Sequence, residues 1–164
     1  VIGLSASGST PFVCAFLQEA QKKGARTVAI VHNRFCPIKQ YAHRLIYLPT
    51  GPELLTGSTR MKAGLIQKHL LTLLSTTAMI RLGKVFSHFM IGVQAKNKKL
   101  QHRALRILKH LLNYPEKRLK RLLQRAHFSP AIALIMAHKK TSYAQAKKLL
   151  LQHQNDLRKL LSDI

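Results

Sequence analysis

The feature that most constrains this chain is a switch in its hydrophobic pattern near residue 50. Before it, short β-rich runs alternate with a helical stretch; after it, the pattern is helical. Val1-Ile2-Gly3-Leu4 is an apolar run that stops at a Ser/Gly cluster, as a buried parallel strand does. From Pro11 the period changes, with Phe12, Val13, Phe16, Leu17 and Ala20 at helical spacing. Pro11 suits the first helical turn, and Gly24 lies where a C-cap glycine belongs. Thr27-Val28-Ala29-Ile30-Val31 is the next strand, and Leu45-Ile46-Tyr47-Leu48 a third, ended by Pro49 and Gly51. Strand, helix, strand, connection, strand predicts an α/β fold with a parallel sheet. Three strands make a small sheet, and a strand fit for a sheet interior opens the chain. The expectation is the C-terminal part of a larger α/β domain.

The second half predicts helices. Ser58 to Leu82 holds Leu65, Ile66, Leu70, Leu71, Leu74, Ala78, Met79 and Leu82, with Gly83 as a stop; a helix this apolar is expected to be buried on most sides. From Asn97, three amphipathic helices are expected, with breaks near Pro115, Ser129-Pro130 and Thr141-Ser142; their apolar stripes are Leu100, Leu105, Leu108, Leu111 and Leu112, then Leu119, Leu122 and Leu123, then Ala146, Leu149, Leu150, Leu157, Leu160 and Leu161. The expected division is residues 1–95 for the sheet domain and 96–164 for a small helical appendage.

Charge narrows the chemistry. The 164 residues carry 28 Lys and Arg against 5 Asp and Glu, a formal charge of +23. The acids are Glu19, Glu53, Glu116, Asp156 and Asp163, so any mechanism using two carboxylates as acid and base would have to draw on those five. Of them, only Glu53 falls in a predicted loop. The nine histidines are scattered, with no HExxH motif and no Cys/His cluster, so neither metal nor cofactor is expected. Two cysteines without a CxxC motif, no apolar run of membrane-spanning length and no signal-peptide pattern point to a cytoplasmic protein without a membrane partner.

Two loops carry candidate chemistry. Ser5-Ala6-Ser7-Gly8-Ser9-Thr10 joins strand to helix, placing hydroxyls and backbone N–H groups at the positive end of a helix dipole. The same residues also read as a Ser/Gly turn with a Ser or Thr N-cap. The second loop runs Gly51-Pro52-Glu53-Leu54-Leu55-Thr56-Gly57-Ser58-Thr59-Arg60-Met61-Lys62-Ala63-Gly64. Cations in a first helical turn oppose the dipole, and a nearby anion would offset that; a capped helix with basic residues facing water is the alternative.

The order of the loops carries a resemblance. Ser5-Ala6-Ser7-Gly8-Ser9-Thr10 looks like the S-x-S-G-x-T phosphate loop of SIS (sugar isomerase) domains. Gly51-Pro52-Glu53, Thr56 to Gly64, Leu74 to Val85 and Val93 to Leu100 resemble one SIS family, the N-acetylmuramic acid 6-phosphate etherases. The resemblance implies a SIS-type, flavodoxin-like parallel sheet followed by a helical appendage. It implies a carbon-oxygen lyase that cleaves the lactyl ether of N-acetylmuramic acid 6-phosphate by elimination and hydration, without a metal. The products are N-acetylglucosamine 6-phosphate and D-lactate. Ser5, Ser7, Gly8 and Thr10, together with Glu53, Thr56, Gly57, Ser58, Arg60 and Lys62, match positions that bind the sugar phosphate. Ser9 departs from the pattern, since the etherases usually carry Arg there. The family's two catalytic glutamates belong to an N-terminal half upstream of Val1, so the 164-residue chain alone is expected to be inactive. A homodimer is implied as well. The alternative is a non-catalytic SIS module that binds or senses sugar phosphates.

The basic helices need their own account. Lys117, Arg118, Lys120, Arg121 and Arg125 form one basic face; Lys96, Lys98, Lys99, Arg103, Arg106 and Lys109 form another. Such faces read either as contacts for nucleic-acid phosphates or as solvated surface. No nucleic-acid-binding motif is present and only Tyr114 and Phe128 are nearby for stacking, so nucleic acid is not an expected partner.

Overall fold

The computed structural model describes residues 1–161, so Asp163 lies outside the described residues. The chain divides into two compact units, residues 1–74 and the remainder from Ser75. Residues 75–95 therefore group with the helices that follow.

The first unit is a three-stranded parallel sheet: β1 (Ile2–Leu4), β2 (Val28–Val31) and β3 (Arg44–Tyr47), in spatial order β1-β2-β3. Gly3, Ala29 and Leu45 stand in register across it. Helix α1 (Pro11–Lys22) makes the crossover between β1 and β2, and a 3-10 turn (Pro37–Tyr41) leads into β3. One sheet face is closed by these connections, with Leu17 of α1 and Ile38 of the turn fully buried against Ala29 and Val31. The α/β fold expected from the strand–helix alternation is present, and each observed strand lies within one residue of its predicted run. Wound this way, the sheet puts the carboxyl ends of β1, β2 and β3 at one edge, followed by Ser5, His32 and Leu48.

Helix α2 (Lys62–Arg81) corrects the sequence reading. Only Ala63 of it is buried, while Leu65, Ile66, Leu71, Leu73, Leu74, Met79 and Ile80 are exposed. Its apolar residues run around the whole cylinder, so no single face can be satisfied by one packed neighbour.

The second unit holds a small hairpin, β4 (Val85–Phe86) and β5 (Phe89–Met90), and five helices. These are α3 (Lys98–Leu111), α4 (Glu116–Arg125), α5 (Pro130–Lys139), α6 (Tyr143–Gln152) and α7 (Leu157–Leu160). The helix α5 is central, with every residue from Pro130 to Met136 buried, and Leu108, Leu119, Ala146 and Leu157 pack around it. Local signals set the helix starts: Asn97 Oδ1 accepts the Leu100 N–H at 2.9 Å, and Ser142 and Gln145 form a capping box at α6. The third predicted stripe is two helices, broken by Gln154 and Asn155 at positive φ. No helix among the described residues is long and apolar enough to cross a membrane.

Candidate functional site

The two candidate loops lie in the first unit and follow the carboxyl ends of β1 and β3, the edge at which ligands of open α/β sheets bind. After β1 the chain turns through Ser5–Thr10 into α1. Ser5 is buried; its Oγ accepts the Gly8 N–H at 2.9 Å and shares a hydrogen bond with Thr10 Oγ1 at 2.8 Å. Ser7 Oγ accepts the Ser9 N–H and pairs with Ser9 Oγ at 2.9 Å, out in solvent. Gly8 has φ +70°, and a Cβ there would lie 2.5 Å from the Cys36 Cβ, so the turn requires glycine. The Gly8 carbonyl accepts the Ile38 N–H at 3.0 Å, tying the turn to the connection before β3.

The capped-turn reading does not hold for Thr10. Thr10 is the N-cap residue of α1, but its side chain makes no capping bond. Its hydroxyl is held by Ser5 instead. The first turn of α1 thus keeps uncapped N–H groups beside a ring of hydroxyls, an arrangement that suits an anion.

The second loop is organised by Glu53. One of its oxygens accepts the Lys62 N–H and the other the Ala63 N–H, both at 2.9 Å. The Ala63 N–H in the first place, then the N–H and charge of Lys62 and the ring of His32, hold the Glu53 carboxyl below the ordinary carboxylate range. The anion that offsets Arg60 and Lys62 at the start of α2 is therefore the chain's own. Thr56, Gly57, Arg60 and Lys62 are exposed and Ser58 is half-buried on the loop that Glu53 closes. Gly57 stands at φ +81° with nothing near its Cα.

His32 is the residue that sequence reasoning passed over. It follows β2 directly, and that position was its only signal. Its backbone N–H donates to the Ala6 carbonyl at 3.0 Å, and its Nδ1 pairs with Thr50 Oγ1 at 3.2 Å. It thereby joins the first loop to the segment leading into the second. Its Nε2 is shut off from solvent and has no partner among the described residues. Beside it, a cavity of about 340 Å³ is lined by Leu48, Pro49, Thr50, Lys62, Leu65 and Ile66.

The four described carboxylates are all engaged. Glu19 pairs with Lys22 and Glu116 with Lys120, each at 2.6 Å, and Asp156 caps α7 while binding Arg158. Glu53 holds α2. No two of them share a site among the described residues.

Residues 1–80 match the family model described as SIS domain. The resemblance extends along the chain. It is 40% identical over 161 residues to a protein of Geobacillus thermodenitrificans named N-acetylmuramic acid 6-phosphate etherase, covering 98% of this chain and 55% of the relative. A protein of the same name from Yersinia pestis is 43% identical over 161 residues, with the same coverage. One from Bacillus licheniformis is 38% identical over 162 residues, covering 99% of this chain and 53% of the relative. The chain spans about half the length of the curated relatives it matches. In the SIS frame, Ser5–Thr10 is the loop after the first strand of the matched region, and Glu53 to Lys62 enters its last helix.

Proposed function

We propose that this chain is the sugar-phosphate-binding portion of an N-acetylmuramic acid 6-phosphate etherase. The observation that carries the reading is the Ser5–Thr10 turn, whose hydroxyls are tied to one another and not to the first turn of α1. A phosphate there takes the free N–H groups of α1 and hydroxyl hydrogens of Ser7, Ser9 or Thr10. The Glu53-closed loop holds Thr56, Ser58, Arg60 and Lys62 for the sugar, and His32 ties the two loops together through Ala6 and Thr50. The protein works in the cytoplasm as a homodimer.

The reaction removes the proton beside the carbonyl, breaks the carbon–oxygen bond on the next carbon to expel lactate and adds water across the resulting double bond, which calls for one base and one acid. The four carboxylates in residues 1–161 are committed to helix ends and ion pairs. The acid and base belong to the other half of the enzyme, as the family pattern implies. This chain binds and orients the substrate and does not turn it over. A non-catalytic sugar-phosphate module is the second reading, favoured by the same committed carboxylates.

A lactate-release assay separates them. The purified 164-residue chain releases no lactate from N-acetylmuramic acid 6-phosphate. Mixing it with an etherase N-terminal half from a relative restores release if this chain is an etherase part. Binding without restored release supports the module, and release by the chain alone overturns the division of labour.

A further inference from the structure

The second unit contains a cavity that the etherase reading does not use. It measures about 470 Å³ and lies between α4, Tyr114 and the C-terminal end of α5. Its wall carries Arg118, Arg121, Arg125 and Lys140 and, among the described residues, no carboxylate. None of these four cations has an ion-pair partner among the described residues, since the ion pairs there use Lys22, Lys120 and Arg158. Arg118, Arg121 and Arg125 stand three and four residues apart, so they share one face of α4 and repel one another.

A solvated basic face would let these side chains spread into water. Here the four exposed cations surround a concavity lined also by the buried Met136 and the half-buried Leu122, which gathers their field at one place. Arg118 is already placed: its guanidinium carbon sits 3.8 Å from the centre of the Tyr114 ring. Thr141 also lines the cavity, and its Oγ1 is shut off from solvent with no partner among the described residues, an uncommon state for a hydroxyl.

We infer that this cavity is a second anion site, for a small ligand carrying two or more linked phosphate groups. Arg118 and Arg125 are separated by about 10 Å along the helix axis, a span that suits a diphosphate or longer polyphosphate better than a single phosphate. Guanidinium groups bind such oxygens through paired N–H donors. The volume lies in the range of ordinary small-molecule sites. The inference rests on residues 114–141 alone and stands or falls independently of the etherase reading.

The test is calorimetric titration of the 164-residue chain with pyrophosphate, tripolyphosphate and orthophosphate at near-physiological salt. Pyrophosphate and tripolyphosphate are expected to bind with one site per chain, and orthophosphate at least about tenfold more weakly. The double substitution R121Q/K140Q should lower pyrophosphate affinity about tenfold or more, since charge-assisted hydrogen bonds are lost. K98Q/K99Q removes the same charge from α3 and should change it less than about threefold, as a screened distant effect. Thr141→Val, with thermal stability unchanged, should also weaken binding. Equal losses from the two double variants would overturn the site in favour of diffuse charge. So would oligonucleotide binding without any pyrophosphate binding up to millimolar concentration, which would assign the face to nucleic acid.

Discussion

The Glu53 carboxylate accepts the backbone N–H groups of Lys62 and Ala63, one on each oxygen, across a separation of nine and ten residues. It is both the N-terminal anchor of α2 and the closure of the loop that presents Thr56, Ser58 and Arg60. Because the folded state holds this carboxyl below its ordinary range, the closure is fully present at neutral pH and above the unfolded value. It is lost as pH falls through the lowered folded value. Protection of the Lys62 and Ala63 amides, relative to their intrinsic exchange rates, should therefore fall on acidification below the usual carboxylate range. Glu53→Gln should raise exchange at neutral pH and flatten that pH dependence.

Ser5 and Gly8 fix the first loop. Ser5→Ala leaves the buried Gly8 N–H without its acceptor, at a cost of about 1–3 kcal/mol. Gly8→Ala places a methyl 2.5 Å from the Cys36 Cβ at φ +70°, and should cost about 2 kcal/mol or more. Denaturant unfolding measures both. Both variants should also weaken sugar-phosphate binding, because the hydroxyl ring and the entry to α1 move together.

His32 is predicted to contribute to binding more than to stability. Its Nε2 has no partner among the described residues, so His32→Ala loses one hydrogen bond to Thr50 and the unpartnered ring nitrogen between the two loops. The affinity for N-acetylglucosamine 6-phosphate should fall about tenfold, the effect of one hydrogen bond to a charged or polar ligand. Thr50→Val, which frees Nδ1 and leaves Nε2 in place, should cause a smaller loss. Equal losses would assign His32 a merely structural part.

In the second unit, Leu134 lies in the middle of α5 with no exposed surface. Leu134→Ala should destabilise that unit by about 2–5 kcal/mol, as buried leucine truncations do. Amide exchange resolved by unit should show the loss in α3 to α7 and leave β1 to β3 unchanged.

The sheet was legible in the sequence because its apolar runs are bounded by Ser5, Gly24 and Pro49, which end strands and helices for local reasons. The starts at Asn97 and Ser142 were legible in the same way. Helix α2 was not: an all-round apolar helix looks the same whether covered or exposed, and only the neighbours decide. The hairpin at Val85–Phe86 and Phe89–Met90 is two residues a side and turns at Ser87, φ 53°, below the length at which a period of two registers. The first loop could be placed from its Ser/Gly pattern. The Glu53 bridge and the His32–Thr50 pair could not, since each depends on the path of the chain between distant residues. A positive first turn on α2 left open a nearby anion or basic residues facing water, and the fold supplies Glu53 at that place.

The central claim is that residues 1–74 bind a sugar phosphate through the Ser5–Thr10 turn. Titrating the 164-residue chain with N-acetylglucosamine 6-phosphate and, in parallel, with unphosphorylated N-acetylglucosamine tests it most directly, with chemical-shift changes followed residue by residue. The account predicts saturable binding of the phosphate ester alone, with the largest shifts at Ser7, Gly8, Ser9 and His32. Shifts confined to residues 114–141, or no preference for the phosphorylated sugar, would contradict it.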